Sequence, residues 1–172
     1  MSRSYEDVRH SHPLIRYVQK RLYKQNKNWL AMLTGATGSG KSWSALSLAK
    51  KIDPDFSTDQ VVLRPESFLE GVKNREFGQG DVVVFDEAGA GMNAKEHMTM
   101  SNRVIDQVLQ TFRRQNIAVI FTVPSQANTD RSVRRLLHAY LETKTIDYKR
   151  GHNVLKWLKM ELNRRQDKVY YK

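Results

Sequence analysis

Apolar residues recur along this chain at two spacings, and the chain switches between them repeatedly. In PLIRYVQKRLYKQ, residues 13 to 25, Leu14, Val18 and Leu22 fall four apart and Pro13 takes a first-turn position that tolerates it, which predicts an amphipathic helix. Its outer face carries Arg16, Lys20, Arg21 and Lys24. WLAML, residues 29 to 33, is instead a continuous apolar run of strand length that stops at a glycine-rich loop. A helix follows from about Lys41 to Lys51, closed by Asp53-Pro54, because the residue before a proline is driven away from helical geometry. Gln60 to Leu63 reads as a short second strand and Ser67 to Val72 as a short helix.

The same alternation continues downstream. DVVVFDEAGAG, residues 81 to 91, runs four strand residues, Val82 to Phe85, straight into two acids and then glycines. From about Lys95 to Arg114 a helix is predicted with Val104, Ile105, Val108, Leu109 and Phe112 on one side. IAVIFTVPSQ is another apolar strand, ended by Pro124. Strands alternating with helices predict an α/β fold, a mostly parallel sheet with helices on both faces.

The last third changes rhythm. HAYLETKTIDY, VLKWLKMEL and KVYYK, separated by turns, predict two or three antiparallel strands, although VLKWLKMEL by itself fits a helix as well. At 172 residues the chain fits one domain. Within it we expect a basic N-terminal helix in 1–28, a core in 29–137 and a basic antiparallel extension in 138–172.

Charge sharpens that division. Residues 1 to 28 hold seven Lys/Arg against two acids and residues 131 to 172 hold twelve against four, whereas residues 29 to 130 hold ten against twelve. The net charge of +11 therefore lies in both ends, as a polyanion-facing surface added to a near-neutral core would place it. A solvated basic surface kept for solubility is the plainer alternative. With no cysteine there is neither disulfide nor thiolate metal site. The N-terminus is charged where a signal peptide is apolar, and no run approaches the roughly 18 apolar residues of a membrane span, so a soluble cytoplasmic protein without a membrane segment is expected.

The glycine loop carries the chemistry. Gly35, Gly40, Lys41 and Ser42 complete G-x-x-x-x-G-K-[ST] between a predicted strand and helix. Such a loop turns its backbone N–H groups inward and adds the positive end of a helix, which suits the phosphates of ATP. Thr37, Gly38, Ser39 and Trp43 join these residues as candidate nucleotide contacts; Lys41 would reach the β- and γ-phosphates, and Ser42 would ligate Mg2+. Asp86, at a strand end, would hold the same magnesium, and Glu87 beside it would act as general base on the attacking water. Thr122, Ser125 and Gln126 close the IAVIFTVPSQ strand, where one polar side chain would meet the γ-phosphate; Gln126 is favoured because its amide both donates and accepts. Arg113, Arg114, Arg131, Arg134 and Arg135 are candidates for a charge-stabilising finger. Tyr140, Tyr148, Trp157, Tyr170 and Tyr171 lie among the C-terminal basic residues, either as base-stacking rings or as cross-strand pairs.

Together TGATGSGKSWSALSLAKKID, VVVFDEAGAG, VLQTFRRQNIAVIFTVPSQ and HPLIRYVQKRLYKQNKN resemble the HerA/FtsK branch of P-loop ATPases, particularly small archaeal and viral zonular-occludens-toxin-like ATPases, over about residues 12 to 140. The pair Asp86–Glu87 and the strand-ending Gln126 narrow the resemblance. It implies a RecA-like sheet, ATP hydrolysis with Glu87 as base and Gln126 as γ-phosphate sensor, and a homo-oligomer, often a hexameric ring, that moves DNA. The chain is short for a full motor and shows no separate DNA-gripping domain. Two functions follow: a Mg-dependent ATPase coupled to binding, translocation or remodelling of DNA, or a nucleotide-gated assembly or partner-binding switch with slow turnover.

Overall fold

The structure, a computed structural model, describes residues 4–63, 70, 77–86, 116–125, 134–163, 165 and 168–172. A short helix α1 (Tyr5–Val8) precedes α2 (Pro13–Gln19), which runs on as a π-helical turn over Lys20–Lys24. Strand β1 (Trp29–Thr34), helix α3 (Lys41–Ile52), β2 (Val61–Val62), β3 (Val82–Phe85), β4 (Ala118–Val123), β5 (Ala139–Asp147), β6 (His152–Asn163) and β7 (Lys168–Tyr171) follow. They form one seven-stranded sheet in the order β2-β3-β4-β1-β5-β6-β7. Pairing is parallel from β2 through β5 and antiparallel between β5 and β6 and between β6 and β7. The fold is thus α/β, a mostly parallel mixed sheet with antiparallel C-terminal strands.

The pleat sorts the apolar runs into two cores. Trp29, Ala31 and Leu33 of β1, Val82 and Val84 of β3, and Ala118 and Ile120 of β4 share one face with α2 and α3. The alternate residues, Leu30, Met32, Val83, Phe85, Val119 and Phe121, build the opposite core. Every residue of β1, β3 and β4 is buried, which is why these strands read as unbroken apolar runs. Helix α3 buries Ala45, Leu48, Ala49 and Ile52 on the first face, where each large aliphatic contributes about 1.5–3 kcal/mol.

Asp53 fixes the angle between helix and sheet. Only 1% exposed, it follows α3 and accepts hydrogen bonds from Asp55 N (3.0 Å), Gln60 Nε2 (3.1 Å) and Val82 N (3.4 Å). The C-terminus of α3 is thereby tied to the start of β3, so the N-terminus of α3 faces the end of β3.

Two details differ from the sequence expectation, the length of the second strand and the pairing of β5, and one open alternative is decided. The second strand is only two residues long, because Gln60 belongs to a 3-10 turn (Thr58–Gln60) with a Ser57–Gln60 capping box, and Leu63 is 56% exposed beyond it. VLKWLKMEL is strand throughout, held between β5 and β7. And β5, expected in the antiparallel extension, also completes the parallel sheet through β1, so the two parts share a strand. The expected helices at 67–72 and 95–114 lie outside the described residues apart from Glu70, which is helical.

His138, just before β5, lies between β1 and β6: its N–H donates to Leu30 O and its carbonyl accepts from Met160 N. Its Nδ1 accepts from Leu30 N (3.0 Å), and Arg21 Nη2 lies 2.6 Å from its Nε2. Burial and the adjacent Arg21 and Lys27 charges push this imidazole down to about 3, so it is neutral near pH 7. Among the described residues, no helix is long and apolar enough to cross a membrane.

Candidate functional site

The strand ends put the predicted chemistry in one place. Positions 82, 84 and 86 of one strand and 118, 120 and 122 of its neighbour point to the α3 side, and Phe85 pairs with Phe121, so Asp86 and Thr122 stand side by side facing α3. Ser42, in the first turn of α3, donates its hydroxyl hydrogen to Asp86 Oδ1 at 3.0 Å. Thr122 Oγ1 donates to the same oxygen at 2.6 Å. Two sequence segments 44 residues apart therefore meet, the glycine loop on one side and the acidic strand end on the other.

The loop has the backbone such a site needs. Gly38 and Gly40 sit at φ 76° and 80°, in left-handed geometry, and Gly40 is the residue that caps α3. Thr37 and Gly38 are exposed, while Ser39 is half-buried. Lys41 is only 8% exposed and its Nζ donates to Ala36 O at 3.0 Å, holding the ammonium across the loop. Trp43, in the first turn of the helix, is 79% exposed.

Ser42, Asp86 and Thr122 offer only hard oxygen atoms. That donor set suits magnesium, which takes one or two protein oxygens and fills its remaining positions with water and phosphate. Among the described residues no three His, Cys, Asp or Glu side chains converge. Glu87, Gln126, Arg113, Arg114 and Arg131 lie outside the described residues.

Comparison with solved structures gives a match to the N-terminal domain of zonular occludens toxin from Neisseria meningitidis. Identity is 16%, the TM-score is 0.45, and the match covers 84% of this chain and 93% of that one. No protein-family model matches the sequence, and no curated protein matches it significantly.

Two residues that local sequence patterns do not single out complete the loop. Thr143 of β5 donates to Ser39 Oγ (2.8 Å) and lies 3.3 Å from Thr34 O. Its hydroxyl stands where a side chain at Gly35 would be, since a Cβ there would fall 1.8 Å from Thr143 Oγ1. Asn153 of β6 reaches further: its Nδ2 donates to Ser39 O (2.9 Å), Gly40 O (3.3 Å) and Ser44 Oγ (2.7 Å). Two hydrogens serve three acceptors, and those acceptors fix the amide's orientation. Asn153 Oδ1 is left buried without a partner among the described residues. The β5–β6 hairpin is therefore bolted to the glycine loop rather than merely laid beside it.

Asn153→Ala should expose what that bolt does. Removing the amide leaves a backbone carbonyl and the Ser44 hydroxyl short of a donor, a loss of about 1–3 kcal/mol in urea unfolding. ATP affinity should fall about tenfold by titration calorimetry, because the loop carbonyls are no longer drawn away from the phosphate side. Unchanged stability and affinity would mean that the hairpin does not position the loop.

Other sequence candidates fall in different places. Arg134 and Arg135 are half-buried and precede β5, whose first residue pairs with Ala31, so they lie toward the end of the strands opposite the loop. Ser125 is exposed just after β4. Of the aromatic residues, Tyr140 packs edge-on against Tyr171 at 6.1 Å and Trp157 lies 6.2 Å from Tyr17, so these rings serve packing. Tyr148 alone of the five is largely free, 85% exposed at the tip of the β5–β6 hairpin.

Proposed function

We propose that this chain is a magnesium-dependent ATP hydrolase whose turnover is coupled to binding, translocating or remodelling DNA. The observation that carries the reading is the Ser42–Asp86 contact, which sets a hydroxyl of the phosphate loop against the carboxylate at the end of β3. In this reading the loop from Gly35 to Ser42 cradles the triphosphate and Lys41 neutralises its outer phosphates. Ser42 and Asp86 hold Mg2+, which supplies charge neutralisation on the phosphate oxygens. Glu87, the next residue in the chain, takes the proton of the attacking water, and Gln126 senses the γ-phosphate. The resemblance to HerA/FtsK-type and zonular-occludens-toxin-like ATPases supports the same roles, together with a homo-oligomer, a hexameric ring in many members. The position of Arg134 and Arg135 fits a finger only if it is offered to a neighbouring subunit.

Charge supports a polyanionic partner. On the C-terminal strands and turns Lys144, Lys149, Arg150, Lys156, Arg165, Lys168 and Lys172 are exposed. Lys144, Arg150 and Lys172 have acidic neighbours, Glu142 at 2.8 Å, Asp147 at 3.9 Å and Glu161 at 2.5 Å, yet the segment stays strongly basic. Phosphate contacts would dominate, so affinity should fall steeply with salt and depend little on sequence.

A second reading, a nucleotide-gated assembly or partner-binding switch with slow turnover, draws on the Asn153 bolt, through which a change in the loop would reach the hairpin. ATP hydrolysis measured with and without single- and double-stranded DNA across a salt series separates the two. Several-fold DNA stimulation that fades with salt is the expected result. A low rate indifferent to DNA, with ATP-dependent assembly, would replace the motor by the switch.

A further inference from the structure

Next to the phosphate loop the protein carries more room than a triphosphate fills. A cavity of about 790 Å3 runs between the outer face of α3 and the β5–β6 hairpin, with Gly40 of the loop in its wall. At the loop end it is lined by Trp43 from the helix and by Ile146, Tyr148, His152 and Asn153 from the hairpin. Trp43 and Tyr148 are 79% and 85% exposed, two large rings left in water beside an apolar opening.

Their placement is built. Asp147 Oδ1 accepts from the backbone N–H groups of Lys149 and Arg150, both at 3.1 Å, which shapes the turn that presents Tyr148. Gly151, at φ 64°, completes that turn. Asn153, two residues on, fastens the hairpin to Ser39 and Gly40, so the separation between the Tyr148 turn and the phosphate loop is set by the fold.

We infer that the loop end of this cavity is a nucleobase subsite, in which the purine ring of a nucleoside triphosphate stacks on Tyr148 and Trp43. The inference rests on the nucleotide-binding reading above and extends it to the part of the ligand that the phosphate loop does not touch. A planar base suits the site because aromatic faces stack on any base, whereas the hydrated phosphates have no use for apolar walls. The hairpin then serves both ends of the nucleotide: Asn153 shapes the loop that receives the phosphates, and Tyr148 receives the base.

The test compares Mg-ATP with Mg-tripolyphosphate by titration calorimetry at moderate ionic strength, on the full chain. Wild-type protein should bind ATP about tenfold more tightly than tripolyphosphate. Tyr148→Ala and Trp43→Ala should each lose about tenfold in ATP affinity with tripolyphosphate unchanged, and Tyr148→Phe should restore ATP binding. Both positions are exposed, so neither alanine variant threatens the fold. Full ATP affinity in both alanine variants would overturn the subsite and leave the phosphate reading standing. Equal losses for both ligands would place the effect in the loop and also overturn it. Wild-type protein that binds neither ligand would remove the nucleotide reading and the subsite together.

Discussion

Asp86→Asn should lower ATP turnover by about 100-fold while costing the fold only about 1 kcal/mol. The two numbers separate because Asp86 has two jobs. As a hydrogen-bond acceptor its Oδ1 collects the Ser42 and Thr122 hydroxyls at 3.0 and 2.6 Å, and an asparagine amide oxygen accepts the same hydrogens from the same place. As a charge it answers a cation, and the amide does not. Urea unfolding followed alongside steady-state hydrolysis gives both values on one preparation. Wild-type turnover in this variant would leave Asp86 as a polar strand end and remove the ground for magnesium at Ser42. A large stability loss with a matching activity loss would instead make the residue structural.

The meeting of Ser42 with Asp86 is legible in the sequence because each half follows from local rules. A buried parallel strand must end where its residues turn polar, and the pleat sends alternate residues to one side, so Val82, Val84 and Asp86 share the α3 face. The loop's glycines announce positive φ, and Gly38 and Gly40 have it. Thr122 is visible in the sequence too, although Gln126 has the richer hydrogen bonding. What brings Thr122 to the carboxylate is register, Phe85 against Phe121, and register is a property of two strands together.

The remainder was hidden for a related reason. Thr143 and Asn153 touch the loop from 104 and 114 residues away, and nothing in LETKTIDY or GHNVLKWL distinguishes a residue that clamps a loop from one that faces water. VLKWLKMEL fits helix and strand spacing equally, and only pairing with β5 and β7 decides it. Likewise β5 reads as the start of an antiparallel segment, yet one of its edges completes the parallel sheet. In each case the missing information is tertiary, and it comes from the same hairpin on which the proposed nucleobase subsite rests.

Lys41→Met should abolish most ATP turnover, by about 100-fold or more, with almost no change in folding. The lysine stem is buried with the loop, and methionine keeps a flexible apolar stem of similar length, so packing survives. The bond from Nζ to Ala36 O at 3.0 Å is lost, but that carbonyl, on an exposed residue, keeps the hydrogen bond it accepts from Ser39 N at 3.1 Å. What cannot be replaced is a compact positive charge that swings from that carbonyl to the outer phosphates. Lys41→Arg sharpens the argument: it keeps the charge, but a planar guanidinium is too broad for a place only 3.0 Å from the loop backbone, so it should fail nearly as badly. If the arginine variant turned over at the wild-type rate while methionine did not, charge alone would suffice and the loop's close fit would be irrelevant. If methionine itself were active, the phosphates would have to lie elsewhere, because no other change so small removes so much positive charge from the centre of this loop.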